Sequence, residues 1–373
     1  MIRSSRILLG QLMSNGDCVF ATTIARQIKL DYPGCHLTWA IGSPYRQILD
    51  NNPFVDDIWE VPMRSRTEID TLWPEFAKQA NARKAKGDFD LLFLTQTNPA
   101  NYRFFDGTIR ASLFRAYPHP ITVPVTPVLR LRQEEKDSAL EFVRQTKLAQ
   151  YTNRILFECS SSSGQSFVTP EFAAAAARCV LTKVLDAAFV LTSHTQIQSS
   201  DERIIDGSVL TFRQNAALTH TCTLLVGCSS GITWLATSEA AKPLPSVQLL
   251  LGSTSVFASP VHDAEYFGLP TDGILEMTDC QPDHLAECLI SIFTEGFPAA
   301  RLKYHEHIPV RLDFYMSVFI LSLLKNFRFA DVVRSLRCVV RRYGSGPLFR
   351  FAFDRIASWF KSSPHPHTRQ GTA

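Results

Sequence analysis

The stretch Arg6-Ile-Leu-Leu-Gly-Gln-Leu-Met-Ser-Asn-Gly-Asp17-Cys-Val-Phe-Ala-Thr-Thr-Ile-Ala-Arg26 decides the fold. Ile7, Leu8 and Leu9 are consecutive apolar residues, which suits a strand covered on both faces, the usual state in a parallel sheet. Asn15-Gly16 breaks the run, because glycine reaches backbone angles closed to other residues. From Val19 to Ile28 the positions Val19, Phe20, Thr23, Ile24 and Ile28 fall on one side of a helix. Asp17 therefore stands where a strand hands over to a helix, the place where open α/β sheets bind their ligands.

The alternation continues outward from this stretch. Strands are expected over 6–11, 37–41, 57–61 and 89–94, with helices over 18–31, 45–51, 68–84 and 107–117, a succession that argues for βαβ units and a parallel sheet. A Pro-rich passage at 118–127 precedes a charged helix at 132–150, and the first boundary is expected just after it. The second half repeats the plan, with strands at 154–158, 187–192, 223–226 and 247–250 and helices at 170–185, 213–220 and 232–241. The expected units are 1–150, 151–297 and a helical extension, 298–373.

A chain of 373 residues with 45% apolar composition is large enough for two buried cores and shows no bias toward disorder. The N-terminal apolar run is too short for a signal peptide, and 314–324, the longest mostly apolar run, falls short of the ~20 residues of a spanning helix. A cytoplasmic location is expected. Nine cysteines without a Cys-x-x-Cys pair or a His/Cys cluster at zinc spacing suggest reduced, buried thiols. The net charge of +3 is unevenly spread. Between 301 and 361 twelve Lys/Arg face four Asp/Glu, so residues 1–300 are net acidic and nucleic acid is not an expected partner.

The pattern strand, Ser14-x-Gly16-Asp17, four residues, Thr22-Thr23, helix resembles the N-terminal motif of glycosyltransferase family 9, the heptosyltransferase family. The resemblance extends through Tyr32-Pro33-Gly34 and Leu37-Thr38-Trp39-Ala40 to Asn52-Pro53-Phe54-Val55-Asp56, and loosens after roughly the first sixty residues. It implies a GT-B type α/β fold, two Rossmann-like doubly wound domains facing a cleft, and the transfer of a sugar from a nucleotide-diphosphate donor. Periodicity alone supports two Rossmann-like units and says nothing about sugars.

In the resembling family the aspartate at Asp17 is the general base that takes the acceptor's proton, with Asn15 and Gly16 on the acceptor side. An ordinary Asp, with a pKa of ~3.9, is a weak base for an alcohol, but the hydroxyl proton becomes acidic as the new bond forms. Ser14-x-x-Asp17 also fits a capping box. The segment Val226-Gly-Cys-Ser229-Ser230-Gly231-Ile-Thr-Trp234-Leu-Ala236 corresponds to the family's donor-diphosphate turn, where free N–H groups meet phosphate. Two departures stand out: the family's acidic residue is Ser229 here, and its histidine is Trp234. The third candidate is the Ser-rich loop from Cys159 to Thr169, with Ser161, Ser162 and Gln165 as expected phosphate contacts. Gln165 replaces the family's lysine, so a fixed positive charge is missing.

Other features are less specific. His305 and His307 beside Glu306 fit surface residues better than a metal site, and neither metal nor cofactor is expected. Arg103 and Arg110 fit an anionic acceptor or solvated helix charges. In the tail, 331–342 is a basic amphipathic helix followed by an aromatic-rich segment ending at Trp359-Phe360, which suits an anionic membrane surface and a lipid-linked acceptor. The same helices would equally pack back on the domains or form a dimer contact. The function expected is an inverting sugar transferase acting on a cell-surface glycan or lipopolysaccharide precursor. The alternatives are a non-catalytic scaffold of the same fold, favoured by the changed loop residues, and a nucleotide-sugar epimerase, disfavoured by the absence of an evident acid/base pair in the second half.

Overall fold

The computed structural model describes residues 4–161 and 163–362. The first half comprises β1 (Arg6–Gly10), α1 (Asn15–Asp31), β2 (His36–Gly42), β3 (Asp57–Val61), α2 (Ile69–Ala85), β4 (Leu91–Leu94) and α3 (Ile109–Arg115). Its strands are parallel in the order β3-β2-β1-β4, with Ile7 opposite both Leu37 and Leu91. The apolar run at 7–9 is fully buried because β1 is central and covered twice. Ile7 and Leu9 join Leu37 and Trp39 beneath α1, while Leu8 faces the other way onto Trp73 and Phe76 of α2.

The second half contains α4 (Gln133–Gln145), β5 (Asn153–Glu158), α5 (Pro170–Leu181), β6 (Ala187–Thr192), β7 (Ile204–Asp206), α6 (Gln214–Leu218), β8 (Leu224–Gly227), α7 (Gly231–Leu235), β9 (Ser246–Leu250), α8 (Pro260–Phe267), β10 (Ile274–Thr278) and α9 (Pro282–Glu295). Six parallel strands run in the order β10-β9-β8-β5-β6-β7, the doubly wound arrangement whose switch point lies between β5 and β8. Helix α4, grouped with the first half on sequence, packs on the second sheet instead. Phe142 and Val143 bury themselves against Leu156, Ala188 and Leu225.

Beyond α9 come α10 (Phe297–Tyr304), α11 (Leu321–Lys325), α12 (Phe329–Tyr343) and α13 (Gly346–Ser362). Ala300 and Tyr304 of α10 belong to the core of the second sheet, so that body continues past residue 297. The following segment returns to the first half. Tyr315, Phe319 and Leu323 pack on Tyr102 and Phe105, with Phe105 and Phe319 ring centroids 4.2 Å apart. Ser335 Oγ donates to the Phe105 carbonyl at 2.7 Å, and Arg342 pairs with buried Asp106 at 3.0 Å. The basic tail is thus partly core, contrary to a wholly free amphipathic extension. Val333, Val340, Phe349 and Phe353 remain exposed, and the side chains of Trp359 and Phe360 lie outside those described. Among the described residues no helix is long and apolar enough to cross a membrane. All nine cysteines are free thiols, and burial pushes Cys222, Cys280 and Cys288 up to about 12.

Candidate active site

The two motifs singled out on sequence face each other. Helix α1 begins at Asn15, so Gly16 and Asp17 lie in its first turn. Ser14 precedes it at φ 73 and makes no side-chain cap, so the capping box does not form. A Cβ on Gly16 would stand 2.8 Å from Trp234 Cδ1, and one on Gly231 would stand 3.0 Å from both Asn15 Cβ and Phe212 Cε2. Both glycines are therefore required by the close approach of α1 and α7. Trp234, where the resembling family has histidine, is 5% exposed, packs edge-on against Phe20 and carries the Arg110 guanidinium over its ring at 4.3 Å. Its indole Nε1 donates to the Ser229 carbonyl at 3.3 Å. The side chain joins the two halves.

Between the halves lies a cleft of about 650 Å³, lined by Asp17, Arg66, Arg110, Glu158, Ser163 and Gln165 among others, a size suited to a small-molecule ligand. Phe257, Phe314, Val318 and Phe319 form an apolar wall on its tail side. Asp17 is 18% exposed, and its ion-pair partner Arg110 Nε stands 4.0 Å away, beyond hydrogen-bond reach. Burial raises the Asp17 carboxyl above the usual carboxylate range, while the charges of Arg110 and Arg66 pull it back down. A raised proton affinity makes a carboxylate a better base near neutral pH. Arg110 Nε and Gln165 Oε1 are buried without a hydrogen-bond partner among the described residues.

The expected diphosphate turn is differently used. Glu158, at the end of β5 and 3% exposed, accepts from Ile232 N at 2.6 Å, Cys228 N at 3.1 Å, Ser230 N at 3.3 Å, Thr233 N at 3.4 Å and Thr233 Oγ1 at 2.7 Å. The Ser229 N–H goes to Gln248 Oε1 at 3.0 Å and its hydroxyl to the Ala258 carbonyl. The turn around Ser229, Ser230 and Gly231 thus holds an internal carboxylate, and Ser229, fully buried at φ 50, is a packing residue. Gln165, 4% exposed, donates to the Ser229 carbonyl at 3.1 Å. Ser160 and Ser163 line the cleft, Ser161 is half-buried without lining it, and Ser162 lies outside the described residues.

Two residues passed over on sequence stand in the cleft. Glu158 had one signal, a carboxylate directly after the apolar run Ile155-Leu156-Phe157 of a central strand. Arg66, in a short 3-10 turn after β3, had none, yet its Nη1 donates to Ser163 Oγ at 2.8 Å across the cleft. His305 and Glu306 hold the chain to β10, His305 Nδ1 accepting from Glu276 N at 3.0 Å and Glu306 accepting from Thr278 N at 3.1 Å. Arg103 stacks on Phe104 away from this cleft.

No protein-family model matches the sequence, and no curated protein does. Solved structures do match, and they define a class of fold, two doubly wound sheets facing a cleft, the GT-B type. The chain is similar to the glycosyl transferase family 9 structure from Veillonella parvula, at 17% identity and a TM-score of 0.54, over 78% of this chain and 89% of that one. It is also similar to the E. coli ADP-heptose lps heptosyltransferase II, at 13% identity and a TM-score of 0.51, over 80% of this chain and 99% of that one. At these identities the likeness is one of fold.

Proposed function

We infer that this chain is an inverting glycosyltransferase that moves a sugar, a heptose or a related one, from a nucleotide-diphosphate donor to a glycan or lipopolysaccharide precursor of the cell surface. The observation that carries the reading is the placement of Asp17. It opens α1 at the mouth of the first sheet, faces the second sheet across the cleft, and leaves its carboxylate open to a ligand. Glu158, the other carboxylate described above in the cleft, has its oxygens committed to four N–H groups and a hydroxyl. In the reaction the acceptor oxygen forms a bond to the anomeric carbon from the face opposite the leaving group. The bond from that carbon to the phosphate oxygen breaks, the nucleoside diphosphate leaves with the electron pair, and the hydroxyl proton passes to Asp17. The family resemblance of the first sixty residues and the shared fold support this assignment.

The apolar wall formed by Phe257, Phe314, Val318 and Phe319 supports an acceptor with a lipid portion. Exposed Phe349 and Phe353 of α13 and exposed Arg334, Arg337 and Arg341 of α12 support a peripheral site on the inner face of the cytoplasmic membrane. Asp17→Asn keeps the side chain's size and removes the base, so turnover in a sugar-transfer assay is expected to fall ~10²-fold to 10⁴-fold with the melting temperature nearly unchanged. Wild-type turnover in that variant would sink the assignment.

A further inference from the structure

Five N–H groups of the turn from Cys228 to Thr233 are satisfied from inside the protein. Glu158 and Gln248 receive the N–H groups of Cys228, Ser229, Ser230, Ile232 and Thr233, and the Thr233 hydroxyl also turns to Glu158. A phosphate brought to this turn would meet a carboxylate in place of open donors. Like charges at short range in a partly desolvated cleft repel strongly.

The opposite wall offers the reverse arrangement. Arg66 comes from the first half, follows β3, and reaches Ser163 of the Ser-rich loop that follows β5. The Arg66 guanidinium donates to the Ser163 hydroxyl across the cleft, and the planar fork of a guanidinium matches the geometry of phosphate oxygens. The missing lysine of the Ser-rich loop is thereby matched by a cation from the other half of the molecule. Gln165, at the lysine's place in sequence, is buried against Ser229.

We propose that the donor's diphosphate is bound by Arg66 together with Ser163, and that Glu158 closes the 228–233 turn to it. The proposal rests on the nucleotide-sugar reading above. Because Arg66 and Ser163 lie on different halves, a diphosphate between them bridges the halves as it binds.

Calorimetric titration tests this with ADP, GDP, UDP and CDP and their uncharged nucleosides, on the full chain and on Arg66→Gln, Arg66→Lys and Ser163→Ala. The best nucleoside diphosphate is expected to bind the wild type about tenfold or more tighter than its nucleoside, with a difference that shrinks as salt rises. Arg66→Gln is expected to erase that difference while leaving nucleoside affinity within about twofold, Arg66→Lys to restore part of it, and Ser163→Ala to weaken it about threefold. A phosphate preference undiminished in Arg66→Gln overturns the proposal and leaves the nucleotide reading standing. A wild type with a normal melting transition that binds none of the nucleotides or nucleosides overturns both.

Discussion

Asp263, 1% exposed on α8, has no hydrogen-bond partner among the described residues and feels the charges of Arg110, Arg342, Asp106 and Asp17. Burial dominates, and its carboxyl is pushed up to about 7. A carboxyl raised in the folded state stabilises below its unfolded value of ~3.9, and that stability is lost as pH rises through about 7. Asp263→Asn removes the titration. It is expected to melt higher than wild type at pH 8, by at most ~4 kcal/mol of stability, with the gain shrinking toward pH 4. A pH-independent difference in thermal melts would show that Asp263 does not carry the effect. At this scale the sequence showed Asp17 clearly, since a strand, a glycine turn and a helix bracket it. It concealed the cleft partners. Arg66 and Ser163 are 97 positions apart, and Glu158 meets its turn only after β6, β7 and β8 have followed it in sequence. Trp234 looks like a loss from a phosphate site because its work, joining α7 to α1, involves residues from the other half, and Ser229 because its bonds go to Gln248 and Ala258, distant in sequence.

Among the elements, strands with unbroken apolar runs were legible, and β6 falls on the expected residues 187–192. The two missed strands have physical reasons. β7 is three residues long, and β10 carries Glu276 at its centre, a polar break that would argue against a buried strand. Glu276 is accommodated because Ser259 Oγ at 2.8 Å and Val261 N at 3.0 Å donate to it, both from the start of α8. Helix α4 was assigned by proximity in sequence, whereas docking depends on which sheet has an uncovered apolar face. Its amphipathic side fits the second sheet, over Leu156, Ala188 and Leu225. Phe142→Ala removes a side chain 8% exposed there and is expected to cost about 3 kcal/mol, read in urea unfolding. Nucleotide binding to the folded variant should be unchanged, and a small loss of stability would mean that α4 is only loosely seated.

For the whole molecule, the tail is the part least legible in sequence, because one amphipathic pattern serves a membrane surface and a protein surface equally well. The structure divides it. Leu312, Tyr315, Phe319, Leu323 and Val339 are buried, whereas Phe349, Phe353 and the arginines at 334, 337 and 341 are exposed. Truncation would therefore strip core as well as surface, and a charge-reversed full chain is the cleaner test. Arg334→Glu/Arg337→Glu/Arg341→Glu is expected to release the protein from anionic vesicles at low salt, each basic side chain near a membrane contributing ~1 kcal/mol. Equal sedimentation of the triple variant and the wild type would remove the membrane surface as a partner.

Asp106, fully buried, holds Arg115 of α3 at 2.9 Å and Arg342 of α12 at 3.0 Å, so a residue near the end of the chain completes an ion cluster begun in its first third. Breaking such a buried cluster by removing one partner costs ~3–5 kcal/mol. The order of synthesis gives this a temporal meaning. Domains form as the ribosome releases them, N-terminal first. Both sheets can be complete while Tyr102 and Phe105 still lack their cover and the cleft lacks its wall of Phe314, Val318 and Phe319. A nascent chain thus holds Asp17 before it holds a finished site. The cleft gains its apolar wall only when the segment carrying Phe314, Val318 and Phe319 has emerged and folded back over the first half.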